Sequence, residues 1–246
     1  MKRHLAHALA ACLLALPIAC TQAEPTSAPA KESKDRANAV DELDSDTRVL
    51  AEMTRGTDIP MSQRNRAQCV VVVPAMVQGA LLVGGSGGNG VVTCRTGNGW
   101  SGPAFIKMGG PSIGLQAGVQ SSDLLMLVDT SGAVGKLFRT NFQLGVNASV
   151  AAGPVGEGKK ASTNAQMNAE ILTYAKSRGA FAGVDVSGMF IKQSQPMNVA
   201  LYGPSADSSA ILQGLLPAPK EASQFLHQMR TAFPPRSESS PAVSLE

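Results

Sequence analysis

The sequence predicts an α+β fold: a curved antiparallel, barrel-like β-sheet closed by N- and C-terminal helices. Three observations predict it. Aromatics make up only 4% of the 246 residues while glycine reaches 25, a mix that favours tightly turned β-structure over a helical bundle. From Cys69 onward, short strand-like runs follow one another with glycine turns between them, as in a meander. Apolar residues at helical spacing occur on both flanks of that region.

Residues 1–19 read as an export signal, with Lys2 and Arg3 ahead of an apolar run too short to span a bilayer. "LPIAC" is similar to a bacterial lipobox ending at Cys20, although Pro17 stands where that pattern usually has Leu. Cys20 is therefore either a lipidation site or a neighbour of an ordinary cleavage point. Residues 20–34 are polar and Pro-containing and read as a flexible tether. The folded domain is expected over 35–232.

Within it, Ala37, Val40, Leu43, Leu50 and Met53 mark a helix over 35–55. "DSDT" at 44–47 reads as an N-cap that divides this helix or kinks it. A short helix is expected to begin at Pro60, a residue suited to a first helical turn. "CVVVVP" is a continuous apolar run, as expected of a buried strand. Further strands are expected at "GALLVGG", "GVVTCR", "PAFIKM", "SIGLQAGV", "DLLMLVD", "FQLGVNASVAA", "AEILTYAKS", "FAGVDVSGMFI" and "NVALYG". "VGGSGGNG", "RTGNG", "MGGPS" and "KSRGA" read as turns, the first a hairpin around Asn89-Gly90. "SGAVGKLFR" reads as one helix between strands. "PSADSSAILQGLL" and "PKEASQFLHQMRTAF" read as two closing helices, each begun by proline and a small polar residue. The tail over 233–246 should be disordered.

The glycine-rich stretch carries two catalytic-looking patterns. Gly85, Gly87 and Gly90 spell the dinucleotide fingerprint, but strand-like "VVTCR" follows where a helix is required. No Asp or Glu occurs between Asp58 and Asp123 to hold a ribose. Ser86 and Ser112 each sit in a GxSxG, the nucleophile elbow of serine hydrolases, which also needs a following helix. The one histidine outside the export signal, His227, falls on an amphipathic helix and reads as a surface residue. A serine hydrolase is thus a minor alternative. No metal-ligand cluster at recognisable spacing, no catalytic residues and no cofactor are expected. Cys69 and Cys94 both lie in expected strands, and an exported domain allows them to pair, the alternative being two separate buried thiols.

Charge is unevenly placed. Between Glu24 and Asp58 there are nine acidic and five basic residues; between Ile59 and Lys220 there are twelve basic and six acidic. A basic body suits an anionic partner such as lipid head groups. Lys107, Lys136, Arg139, Lys159, Lys160, Lys176, Arg178 and Lys192 fall near turns and strand ends, and all but Lys176 are the candidate head-group contacts. Trp100 reads either as an interfacial anchor or as a packed residue beside "TGNG". Nucleic acid is excluded by export and by the lack of interleaved aromatics.

"CVVVVPAMVQGALLVGGSGGNGVVTCR", "GWSGPAFIKMGGPSIGLQAGVQSSDLLMLV" and "LGVNASVAAGPVGE" with "SRGAFAGVDVSGMFIKQ" and "NVALYG" together resemble the SYLF-domain family, over roughly residues 36–216. The resemblance implies a phospholipid-binding module. Eukaryotic members join it to SH3 or FYVE domains and act in endocytosis and actin organisation; bacterial members are exported, often as lipoproteins. In eukaryotic members an N-terminal amphipathic helix contributes to lipid binding. Here that helix carries Asp35, Asp41, Glu42, Asp44 and Asp46, which an anionic surface would repel, so its apolar stripe is expected to pack against the sheet instead. The expected function is non-catalytic binding of phospholipid or another amphiphile in the bacterial envelope, as a periplasmic protein or a lipoprotein of the outer membrane. Actin is not expected as a partner. The alternative is an envelope structural or interaction protein whose basic face meets a protein or an anionic glycan.

Overall fold

Apolar side chains occupy every position of residues 70–73 and 124–128, and the fold buries both faces of the strands that carry them. In the computed structural model, which describes residues 28–56, 58–137, 142–153, 168–177, 180–183 and 186–234, these runs belong to two unusually long strands. β1 (Cys69–Thr96) turns through Gly97 and Asn98 into β2 (Gly99–Trp100), and β3 (Ala104–Val128) returns antiparallel along β1. The ladder runs from Cys69↔Val128 to Val92↔Ala104, with register shifts between Val73 and Met76 and between Ala80 and Leu82. At the first shift Ala75 takes a positive φ of 45° and donates its N–H to Asp123 Oδ1 at 2.9 Å. Such bulges bend a strand and increase its twist.

The bending brings the ribbon back onto itself. Twenty-five residues of strand would reach roughly 80 Å if straight, yet the Cα atoms of Cys69 and Cys94 lie 4.0 Å apart and the two are joined in a disulfide. Arg95 donates its N–H to the Gln68 carbonyl at 2.7 Å at the same seam. A Cβ on Gly90 would lie 2.0 Å from the Val72 carbonyl oxygen, so only glycine permits this approach. Pairing is thus the outcome of the two readings of these cysteines.

The sheet continues in the order β2-β1-β3-β6-β5, with β6 (Ile171–Ser177) antiparallel to β3 and β5 (Val150–Ala152) parallel to β6. β7 (Ala180–Gly183) pairs with β6, and β8 (Phe190–Gln193) bridges β3 and β4 (Phe142–Gln143). Side chains alternate between two cores. Val70, Val72, Val91, Phe105, Leu125, Leu127 and Tyr174 face α1 (Ala28–Thr54) and the C-terminal α6 (Ser223–Ala232). Val71, Val73, Val92, Ile106, Leu124 and Met126 face the opposite way, toward α3 (Ser131–Leu137) and α5 (Ser208–Leu212). α2 (Met61–Arg66), begun at Pro60, and α4 (Gln195–Tyr202) complete the helices. The result is the expected mixed fold, a curled antiparallel sheet flanked by N- and C-terminal helices.

Several local expectations are corrected. α1 is one continuous helix: Thr47 Oγ1 donates to the Leu43 carbonyl at 2.6 Å, four residues back, instead of capping a new helix. Leu43, Asp46, Val49, Leu50 and Met53 form one buried stripe across "DSDT", so tertiary packing overrides the local capping preference. α1 also begins at Ala28, inside the expected tether. "VGGSGGNG" and "MGGPS" are not turns but partner strands, paired as Gly84↔Ser112, Ser86↔Gly110 and Gly88↔Met108. Six expected strands therefore merge into two. "FQLGVNASVAA" and "FAGVDVSGMFI" each divide into two short strands. "NVALYG" is helical, because Pro196 opens α4 and the buried Asn198 side chain takes the Phe105 N–H at 2.7 Å, which ties the helix to β3. Residues 1–27 and 235–246, with the export signal, Cys20 and most of the tail, lie outside the described residues.

Candidate functional site

The residues that carried the motifs of the sequence mostly hold the fold together. Thr93 Oγ1 donates to the Ser101 carbonyl at 2.8 Å, and Ser101 Oγ accepts the Cys94 N–H at 3.1 Å, closing the hairpin. Trp100 donates Nε1–H to the Phe233 carbonyl at 3.2 Å, meets the Phe233 ring edge-on at 5.9 Å and carries Arg95 4.5 Å over its face. It is a packed residue rather than an exposed anchor. Gly153, in "AAGP", lies flat on Tyr174, whose ring a Cβ there would meet at 2.1 Å. Ser86 sits mid-strand with Oγ 3.3 Å from the Gly110 carbonyl, and Ser112 is in the partner strand. His227 is exposed on α6. Neither serine lies at a strand-to-helix elbow, so the geometry of a serine hydrolase is not assembled.

Of the candidate cations, the structure brings two together. Lys107 on β3 pairs with Asn89 on β1 and with Lys192 on β8, so the three side chains form one row across adjacent strands. Each is exposed. The alternation that sends Val91 and Phe105 into the core beneath α1 puts this row on the same face, just beyond the helix. Like charges directly opposite on a sheet repel, and among the described residues neither lysine has a carboxylate within ion-pair distance. The next row is Gly87, Gly109 and Phe190, with Phe190 36% exposed. Beyond it a Cβ on Gly85 would meet nothing within 4 Å. The face is a lysine pair beside a bare glycine floor.

Lys136 belongs elsewhere. Carried in the last turn of α3, it pairs with Glu170 at 3.5 Å, which occupies it structurally. Arg139, Lys159, Lys160 and Arg178 lie outside the described residues. Lys176 pairs with Glu52 at 2.8 Å and, with Arg36 bonded to Glu221 and to the Ala200 carbonyl, fastens α1 to the body. The apolar stripe of α1 accordingly packs on the sheet, as its acidic composition implied.

α1 also forms one wall of a cleft of about 490 Å³ whose floor includes Asn89 and Lys107. Asp35, Asp41 and Glu42 line its helical side, and burial pushes the Glu42 carboxyl up. The cleft abuts a trough of about 430 Å³ between α1 and α4, lined by Pro196, Val199, Ala200 and Pro204 and, on the polar side, by Lys31, Glu32 and Gln195; Asp35 and Pro196 belong to both. The sequence did not single out Asn89 or these carboxylates as site residues. Asn89 was hidden by its place in an Asn-Gly pair, the strongest of short hairpin signals. Among the described residues no three His, Cys, Asp or Glu side chains gather to hold a metal, and no helix is long and apolar enough to cross a membrane.

Comparison with known proteins agrees with the fold and motifs. The family model described as Ysc84, Las17-binding protein actin regulator, matches residues 109–232. Protein YSC84 of Saccharomyces cerevisiae is 34% identical over 173 residues, which cover 68% of this chain and 36% of the yeast protein. LAS seventeen-binding protein 3 of the same yeast is 34% identical over 166 residues, 65% of this chain and 36% of its own length. Human SH3 domain-containing YSC84-like protein 1 is 31% identical over 165 residues, 66% of this chain and 48% of its own. The chain thus spans between about a third and a half of the length of these relatives. On the strength of these matches, the chain belongs to the Ysc84 family, the family of the SYLF domain.

Proposed function

We propose that this chain binds phospholipid or a similar amphiphile in the bacterial cell envelope, without catalysis, as an exported periplasmic or lipid-anchored protein. The observation that carries the reading is the Lys107–Lys192 pair. Two cations held side by side on an exposed face, with no carboxylate between them, repel each other until an anion arrives. The open glycine floor lets a flat surface approach that pair, and Phe190 supplies an apolar contact beside it. Family membership supports a binding domain. The export signal, which keeps the chain from actin, and a lipid on Cys20 are parts of the same proposal.

Co-sedimentation with anionic vesicles tests it. The chain is expected to pellet with phosphatidylglycerol vesicles at low salt and to be released at high salt, as the Debye length falls to about 3 Å at 1 M. Charge reversal of both Lys107 and Lys192 should abolish pelleting. Chain that stays in the supernatant at low salt overturns the reading.

A protein partner is the second reading, favoured by the name of one relative, LAS seventeen-binding protein 3. Charge reversal at Lys159 and Lys160 that left vesicle pelleting intact but lost a pulled-down envelope partner would select it.

A further inference from the structure

The cleft beneath α1 holds opposite charges apart. Asp35, Asp41 and Glu42 stand on the helical wall and Lys107 on the sheet floor, around about 490 Å³ of open space, and no ion pair joins the wall to the floor among the described residues. Surface carboxylates and lysines in reach of one another ordinarily close up, at little cost. Here the two walls are anchored separately, α1 through Arg36 and Glu52 and Lys107 in the β1–β3–β8 ladder, and the charges stay unpaired. The volume lies in the range of small-molecule sites. Immediately beside it, sharing Asp35 and Pro196, runs a trough whose surface is mostly apolar, from Val199, Ala200 and Pro204, with Lys31, Glu32 and Gln195 also lining it.

We propose that this cleft and trough together seat one zwitterionic amphiphile, its ammonium against Asp35 and Asp41, its phosphate against Lys107 and Asn89, and its acyl stem along Pro196 and Val199. This rests on the amphiphile-binding reading above and names the head-group class. Complementarity of both charges decides the class. A purely anionic head group would bring its phosphate to Lys107 but leave the carboxylates facing it, and a simple alkylammonium would leave Lys107 unanswered. A head with both charges a few bonds apart satisfies both walls, and the trough distinguishes a lipid from the free head group.

The test is calorimetric titration of the purified full chain with four probes below their micelle concentrations: lysophosphatidylethanolamine, lysophosphatidylglycerol, dodecylammonium and glycerophosphoethanolamine. Lysophosphatidylethanolamine is expected to bind at least about tenfold more tightly than lysophosphatidylglycerol or dodecylammonium. Glycerophosphoethanolamine should compete for the same site, about tenfold more weakly, having no chain for the trough. Asp41→Asn and Lys107→Ala, both at exposed positions, should each weaken the zwitterion at least about fivefold with an unchanged melting temperature. Equal affinity for lysophosphatidylglycerol or dodecylammonium overturns the proposal, as does unaltered binding by both variants; a head group that binds as tightly as its lysolipid overturns the role of the trough. The outcomes separate from those of the vesicle experiment. Pelleting without lysolipid selectivity removes this inference alone, and selective lysolipid binding without pelleting removes the membrane-surface reading alone.

Discussion

The closed seam of the β1–β3 ribbon and the open stretch between its ends share a pair of strands and one ladder, yet they are put to opposite uses. At the seam, residues 69–73, 91–94 and 124–128 are buried on both faces and stapled by Cys69–Cys94. Between those closed ends, the same ladder presents Gly85, Gly87, Asn89 and Lys107 to solvent. Side-chain volume makes the difference. Valine and leucine on both faces give the seam its burial, about 25 cal/mol per Å² of apolar surface, while the glycines bury almost nothing and leave the strands to be held from elsewhere. The exposed face is thereby free to carry charge, at the expense of depending on the seam for its shape.

Three comparisons sharpen this contrast, in order of their largest expected effect. Gly90→Val should cost more than about 3 kcal/mol, since its side chain meets the Val72 backbone and the seam must open. Gly85→Ala, five residues away on the open face, should change stability by no more than about 0.5 kcal/mol. Urea unfolding of both variants checks the pair, and equal losses would mean that the seam and the open face are not distinct. Replacing both Cys69 and Cys94 by serine should lower stability by about 3 kcal/mol through the freer unfolded chain. The wild type should fall to the level of the double variant when reductant is added, and a reductant-insensitive wild type would refute the role of the staple.

The third concerns α1, which places some carboxylates over the open face and another in the core. Asp41 is exposed over the cleft, whereas Asp46 is fully buried with neither oxygen bonded. Burial, reinforced by the negative charge of Glu42, holds the Asp46 carboxyl well above the ordinary range. A carboxyl whose pKa is raised by folding binds more protons in the native state than in the unfolded one. Stability therefore falls as pH rises from about 4 through the raised value, by about 1.4 kcal/mol for each unit of difference, and levels off above it. Asp46→Asn should remove this slope and raise stability at neutral pH by about 1 kcal/mol or more. Parallel pH–stability curves for the variant and the wild type would refute this account of Asp46.

Much of the fold was legible because periodicity is local. The continuous burial of "CVVVV", the Pro60 start of α2, the "TGNG" turn and the closing helices all follow from residues within a few positions of one another. "WSGPAF" and "AAGP", which carried the family resemblance, are packing motifs: Ser101 closes a hairpin and Gly153 accommodates Tyr174. They identify the fold and contain little of the site. The site was half visible. Lys107 and Lys192 were picked out as cations, but so were Lys136, which Glu170 occupies, and others beyond the described residues.

The sequence by itself determined the fold class, the family, the buried strands and the sign of each region's charge, because composition, spacing and alternation are properties of neighbouring residues. Only the tertiary structure decided that eighty-five residues of chain bring Lys107 and Lys192 into one row, that a glycine-rich stretch with a strong turn signal is a strand, and that Asp41 and Lys107 face each other across a cleft. Those outcomes depend on which strand lies beside which. A glycine turn and a glycine strand have the same local sequence, and only a partner strand, in register and held by a seam far along the chain, makes the extended form the stable one.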